Sequence, residues 1–375
     1  YVSKDYLLDV YPNLQVGRAT PGLWGWGNNY YGQLGLGNIT HRSSPVQIGS
    51  LTNWKQVATY NAGSAAIKTD GTLWTWGRNS YGQLGLGDIT HRSSPVQIGS
   101  LTNWKQVSSG KNLMSAVKTD GTLWTWGRNL YGQLGLGDTT NRSSPTQVGS
   151  LTNWRMISCG GYSPVAVKTD GTLWTWGANW YGQLGLGDLT HRSSPVQVGS
   201  LTNWKQASSG ESSQIAVKTD GTLWLWGYNT QGQLGQGDLT HRSSPVQVGS
   251  LTNWKQVNSG YYQSAAIKTD GTLWTWGHNP LGGLGLGDLI HRSSPTQVGS
   301  LTNWKQVNMS LFNLTAIKTD GTIWTCGQGG IGTLGLGDRT NRSSPVQVGS
   351  LTNWKQISMD ADSSDYVLAI LDSQY

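Results

Sequence analysis

Apolar and polar positions alternate along this chain in a pattern that restarts every 50 residues. Residues 51–100 hold one full unit. In it, Asn53-Trp-Lys-Gln-Val57 predicts a first strand and Ser64-Ala-Ala-Ile-Lys-Thr69 a second. Thr72-Leu-Trp-Thr-Trp76 predicts a third, entered from an Asp70-Gly71 pair that readily takes the positive φ values of a tight hairpin. The Gly-rich run Tyr81-Gly-Gln-Leu-Gly-Leu-Gly-Asp88 permits a folded loop, and Pro95-Val-Gln-Ile98 follows as a fourth strand, with Pro95 suited to a first position or an exposed edge. Four such strands make one antiparallel blade.

The count sets the architecture. The third-strand Trp recurs in steps of 50 from Trp24 to Trp324, and the first-strand Trp from Trp54 to Trp354, seven times each. Six units are continuous. The seventh needs both ends of the chain, with residues 351–357 and 366–372 as its first two strands and 24–27 and 45–48 as its last two. Joining the ends closes a ring in which no terminal repeat is left exposed. The expectation is therefore all-β: a seven-bladed β-propeller of four-stranded antiparallel blades, one domain over 22–375, with blade seven split between 22–50 and 351–375. Residues 1–21 do not match the repeat and read as an extension or tether, with a short helix from Ser3 to Pro12 that shows Tyr6, Leu7 and Val10 on one face.

Composition agrees with tight turns and aromatic packing: charged residues are 12%, with 53 Gly, 21 Trp and a single Phe. The net charge of +7 suggests nucleic acid until it is assigned to positions. Most units carry a Lys after the first-strand Trp, a Lys before Thr-Asp-Gly and an Arg before Ser-Ser-Pro, against two Asp. The surplus then looks spread around the molecule, and a nucleic-acid partner is not expected. Cys159 and Cys326 stand at non-equivalent positions and read as free thiols. No apolar run reaches membrane-spanning length, so insertion is not expected, and no secretory signal is visible in a chain that opens on Tyr1.

Candidate chemistry is sparse. There is no phosphate-binding Gly-Lys-Ser/Thr loop and no nucleophile elbow, so no catalytic residue, metal or cofactor is assigned and enzyme activity is not expected. His41, His91, His191, His241 and His291 recur before Arg-Ser-Ser-Pro, with Asn141 and Asn341 in their place in two units. Equivalent positions on successive blades are too far apart to share one metal, and these read as surface loop residues. Asp70 and its equivalents suit the hairpin turn, and Asp88 and its equivalents a loop that caps its own backbone. Asp360-Ala-Asp-Ser-Ser-Asp365 lacks the spacing and the Gly of a calcium loop and reads as solvated.

The units differ in two places, between strands one and two and just after strand three. In an up-and-down blade both connections lie at the same end, so one face varies while the opposite face, built of Thr-Asp-Gly-Thr and Gly-Ser-Leu-Thr-Asn, barely changes. The candidate partner-binding residues on the variable face are Tyr60, Asn61, Arg78, Lys111, Asn112, Arg128, Tyr162, Trp180, Glu211, Tyr228, Tyr261, Tyr262, His278 and Phe312. Met114, Met309 and Met359 fall in the same segments. Rigid aromatics among small polar residues make a recognition composition, and neutral drift would have altered the other face too. A protein or a glycan is the expected partner.

Tyr-Gly-Gln-Leu-Gly-Leu-Gly-Asp preceded by Leu-Trp-Thr-Trp-Gly resembles the repeat of the regulator of chromosome condensation family. The resemblance covers residues 22–372 and implies a seven-bladed propeller closed by strands from both termini. It implies no single function, because the family hosts nucleotide exchange, chromatin docking, enzyme inhibition, light sensing and surface adhesion. The Gly-Trp-Arg-His-Thr motif of the family's ultraviolet-B receptor is absent, and the Trp pairs read as core. The wording Asn341-Arg-Ser-Ser-Pro-Val-Gln-Val-Gly-Ser-Leu-Thr-Asn-Trp-Lys-Gln356 resembles repeats of bacterial and bacteriophage surface proteins. That implies a virion or cell-surface decoration or adhesion role tethered through residues 1–21, with a regulator of an enzyme, inhibitor or GTPase exchange factor, as the alternative.

Overall fold

In a computed structural model, residues 20–359 and 366–373 are described. They form seven four-stranded antiparallel sheets. Blades 1 to 6 span 54–97, 104–147, 154–197, 204–247, 254–297 and 304–347; blade 7 joins Trp354–Met359 and Tyr366–Leu371 to Gly22–Gly27 and Arg42–Gln47. In blade 7 the first strand of the chain pairs with the last, Gly22 opposite Leu371 and Gly27 opposite Tyr366. The Ser3–Pro12 helix and the Asp360–Asp365 loop lie outside the described residues.

Strand bounds differ from expectation in an instructive way. The innermost strand of blade 1 runs Trp54–Tyr60 and its neighbour begins at Gly63, so most of the variable segment is strand and only a two-residue turn is loop. Asn61 and Ala62 take φ of 43° and 61° there, and Asn112 takes 62° in blade 2. Alternation then sends successive residues to opposite faces. Thr59, Met309 and Met359, at equivalent positions, are buried between blades, as is Met114. The three Met are core, not recognition surface. The fourth strand also starts earlier, Arg92–Gln97, which puts Pro95 inside the outermost, edge strand.

The core is seven clusters, each between two blades. Ala65, Ile67 and Leu73 of blade 1 meet Trp104, Val107 and Trp126 of blade 2, for example. Two Trp of a blade meet edge to face, Trp104 and Trp124 at 6.2 Å, and Lys118 Nζ lies 3.7 Å above Trp124. This last feature explains a repeated Lys that is only 6% exposed.

The Gly-rich loop is the joint between blades. Trp126 Nε1 donates to the Gln83 carbonyl of the preceding blade at 2.9 Å, and Gly87 N–H donates to Ser143 O at 2.8 Å. Gly82 has φ +77° and a Cβ there would lie 2.6 Å from Ser143 Cα, so no side chain fits. Blade 6 has Cys326 in place of this Trp, with Sγ 3.9 Å from Gly283 O. Both Cys are free and buried, and burial pushes each thiol up to about 12.

The innermost strands surround an axial cavity of about 290 Å³. Each is an edge strand, and its outer N–H and C=O need partners. A ring of Gln supplies them: Gln56 Nε2 donates to Val107 O (3.0 Å) while its Oε1 accepts from Val107 N–H (3.1 Å). Gln106 holds Ile157, Gln306 holds Ile357 and Gln356 holds Val57 in the same two-way clamp. Blade 3 breaks the ring with Met156, and there Arg155 Nη2 donates instead to Trp204 O (3.0 Å) and Lys205 O (2.8 Å). Nearer the variable face a second tier forms, with Ser108 Oγ accepting from Cys159 N–H and Ser158 Oγ from Ser209 N–H.

Candidate variable-face interface

The inner strands carry the chain up to the variable face, and the loop after strand three returns over its rim. The recurrent His sit at the end of that loop. His91 Nδ1 accepts the Asn79 backbone N–H at 3.0 Å and His241 Nδ1 that of Asn229 at 2.9 Å, while Asn141 Oδ1 does the same for Asn129 at 2.8 Å. They are exposed, as expected, yet they pin the loop. Asp88 Oδ1 accepts the Thr90 N–H and its Oδ2 meets Arg92 at 2.6 Å, so the loop caps itself; Asp70 does so in the hairpin, accepting from Thr72.

On this scaffold most of the candidate residues converge. At the centre, Lys111 Nζ and Glu211 Oε1 are 2.8 Å apart, although they belong to blades 2 and 4. Blade 3 lets them meet because its turn is Gly160-Gly161: a Cβ on Gly161 would lie 2.2 Å from Glu211 O and 2.7 Å from Glu211 Oε2. Lys111 N–H donates to Gly160 O at 2.9 Å, tying the same turns by backbone. Glu211, the one Glu of the chain, is buried. Pairing with Lys111 offsets its desolvation.

Aromatic rings extend from this pair on both sides. Lys111 Nζ lies 5.4 Å from the Tyr162 ring and 5.8 Å from that of Tyr261. Tyr162 meets Tyr131 (5.3 Å) and Trp180 (5.9 Å), Tyr131 meets Trp180 (4.6 Å), and Arg128 lies over Tyr81 (4.9 Å) with a 3.3 Å hydrogen bond to the Tyr162 hydroxyl. On the other side Tyr261 meets Tyr262 (4.3 Å), Tyr262 meets Tyr228 (5.8 Å) and His278 (5.8 Å), and His278 meets Phe312 (6.0 Å). Burial raises the phenol pKa of Tyr162, Tyr261 and Tyr262, so these hydroxyls stay neutral donors; burial lowers that of His278.

Other candidates stand apart. Arg78 donates to Asn61 Oδ1 at 3.2 Å and lies over Tyr31 at 5.2 Å, a separate cluster on blades 1 and 7. Asn112 is buried in its turn, where Gln83 Nε2 donates to its Oδ1, and so shows no side chain to a partner. Tyr60 ends its strand. Sequence reasoning missed Tyr131, Tyr181, Leu189 and His241, frame positions that join the arc: Trp180, Tyr181, Leu189 and His241 line one rim groove of about 320 Å³. The signal was present, since the Tyr of Tyr-Gly-Gln-Leu becomes Gln231, Leu281 and Ile331 in other units. Among the described residues no three His, Cys, Asp or Glu side chains come together as metal ligands.

Comparison with known proteins gives the same architecture. The solved structure of human WBSCR16 superposes with a TM-score of 0.85 at 19% identity, covering 95% of this chain and all of that one. Yeast RCC1 (Prp20), solved bound to Kap60, gives 0.84 at 19% identity over 98% and 92%; a Saccharomyces cerevisiae Prp20p structure, described with its binding to Gsp1p and histones, gives 0.82 at 18% over 98% and 95%. Curated protein sequences gave no match. The model of the regulator of chromosome condensation (RCC1) repeat matches residues 22–67, 70–117, 120–167, 170–217, 220–267, 270–310 and 320–363, and the chain belongs to that family.

Proposed function

We propose that this propeller is a non-catalytic protein-binding scaffold whose contact surface is the variable face of blades 2 to 6. The observation that carries this is the continuous arc from Arg128 through Tyr162, Lys111 and Tyr261 to Phe312, built where the units stop repeating. Tyr, Trp and Arg in a rigid cluster are the residues that dominate protein contact energies. Binding of proteins by propellers of the same fold, as with Prp20 and Kap60, supports the partner class. A glycan fits less well. Sugar rings stack on open aromatic faces, whereas these rings abut one another edge to face, Tyr131 against Trp180 at 78° and Tyr162 against Trp180 at 85°. A virion or bacterial surface, which the repeat wording implies, is one setting for such a face; regulation of an enzyme is the other.

Photo-crosslinkers placed at Trp180 and at Thr102 of the opposite face separate the two sides. The expected result is cross-linking to one protein from position 180 and none from position 102. Cross-links from position 102 alone would overturn the assignment.

A further inference from the structure

The pairing of charges leaves a pattern that the sequence hides. Six guanidinia at the Arg92 position are matched by carboxylates at 2.5–2.6 Å. Each buried Lys of the Lys68 type feels the Asp two residues on. Left over, beside the scattered Arg42, Arg78, Arg128 and Arg339, is the position after the first-strand Trp: Lys55, Lys105, Arg155, Lys205, Lys255, Lys305 and Lys355. Among the described residues only Lys355 has a carboxylate, Asp372 at 3.3 Å. The larger part of the surplus is thus gathered at one repeat position.

Its place follows from topology. The residue is the second of the innermost strand, at the constant-face end, one position before the Gln ring that lines the axial cavity. A register shift between Trp54 and Gln56 makes this residue a bulge, and its Lys are exposed at the constant-face end of the hub, where Lys355 leans back to Asp372 just past strand two. Adjacent members are one side chain apart, because Arg155 Nη2 reaches the Lys205 carbonyl at 2.8 Å. Seven like charges around one mouth repel, which costs stability. Packing gives no reason to keep the six Lys, which are exposed; Arg155 alone has one, as the clamp on blade 4 in place of a Gln.

We propose that this ring forms an axial anion site on the constant face, fitted to a compact polyphosphate. On the axis of a ring the sideways fields cancel and the potentials add, so a small polyanion centred there meets at once the six cations that lack a carboxylate among the described residues. Lys, a flexible point charge, suits phosphate oxygens without demanding one orientation. Gln56, Gln106, Gln306 and Gln356 are committed at both ends of the amide to the neighbouring blades, which leaves the cations as the main hold on the ligand.

The test uses inorganic tripolyphosphate titrated into the full chain by calorimetry at about 0.1 M salt, where charges more than about 10 Å apart are largely screened. The expected result is one site per chain, weakening as salt rises. Lys105→Ala with Lys305→Ala should lower affinity about fivefold or more, from screened Coulomb attraction. Arg42→Gln with Arg339→Gln, the same loss of charge away from the ring, should leave it unchanged. Thermal melting guards against misfolding: the ring variant should melt at the same or a higher temperature. Several weak sites per chain, or equal weakening by both pairs, would overturn the proposal. So would no binding of tripolyphosphate while duplex DNA or anionic phosphatidylglycerol vesicles bind, which would mark an extended surface in place of an axial site.

Discussion

Trp176 and Trp180 are four residues apart on the same blade, and they belong to different parts of the molecule. Trp176 is fully buried, packs on Trp154 at 6.2 Å and donates Nε1 to Gln133 O of the preceding blade. Trp180 is 39% exposed and meets Tyr131, Tyr162 and His191 on the rim. The first has counterparts in five other blades and the second has none. Repetition here marks what the ring needs in order to close, and singularity marks what one face can present.

The strongest way to break that comparison is to truncate both. Trp176→Ala removes a buried aromatic and an inter-blade hydrogen bond and should cost about 3–5 kcal/mol in urea unfolding. Trp180→Ala loses edge-to-face contacts at a half-open site and should cost less than about 1 kcal/mol. Its effect is expected on partner binding instead. Equal destabilisation by the two would mean that the variable face is as much frame as the core.

The frame was legible in the sequence because its signals are local. The 50-residue period, the Trp count and the mid-unit start at Gly22 give seven blades and the shared seventh, which the Gly22–Leu371 pairing bears out. What stayed hidden depends on proximity around the axis. Gln56 looks like an ordinary polar strand residue until Val107 lies beside it, and the Lys after each first-strand Trp looks dispersed until the strands meet at a hub. The variable segment was divided wrongly for a different reason. Small residues such as Ser108-Ser-Gly110 read as loop, yet they continue a strand whose alternate residues face the cavity and the inter-blade core. The Lys111–Glu211 pair joins units that are 100 residues apart across a Gly-Gly turn, and no spacing rule reports that.

A smaller effect sharpens the view of the hub. Gln106→Met copies blade 3 into blade 2 and leaves the Ile157 N–H and C=O without their clamp, which should cost about 1–3 kcal/mol. Adding Lys105→Arg, the other half of the blade 3 arrangement, should recover part of that loss if Arg155 compensates for Met156. A double-mutant cycle by denaturant unfolding measures the coupling. Strict additivity would mean that Arg155 does not substitute for the missing Gln.

The smallest effect concerns the loop His, where the chain supplies its own control. His91 and His241 hold their loops by accepting a backbone N–H at Nδ1, and Asn141 holds the same loop without a titrating group. Burial lowers the pKa of both His, with the Arg78 charge adding to the effect at His91. Because the folded value lies below the unfolded one of about 6.5, their contribution is complete above that pH and is lost as pH falls through the folded value. Protonation also places a hydrogen on Nδ1, where the loop needs an acceptor. The double variant His91→Asn/His241→Asn should therefore match the parent at pH 8 and lose less stability between about pH 6.5 and 5. Hydrogen bonds, first from the Thr90-type backbone, hold the Asp88-type carboxyls below their usual range, so a second loss, near and below about pH 4, should persist in both proteins. Thermal melts across pH 8 to 3 separate the two steps. An unchanged slope in the His range would place the acid sensitivity elsewhere, with His278, which lies among the arc's rings, as the next residue to replace.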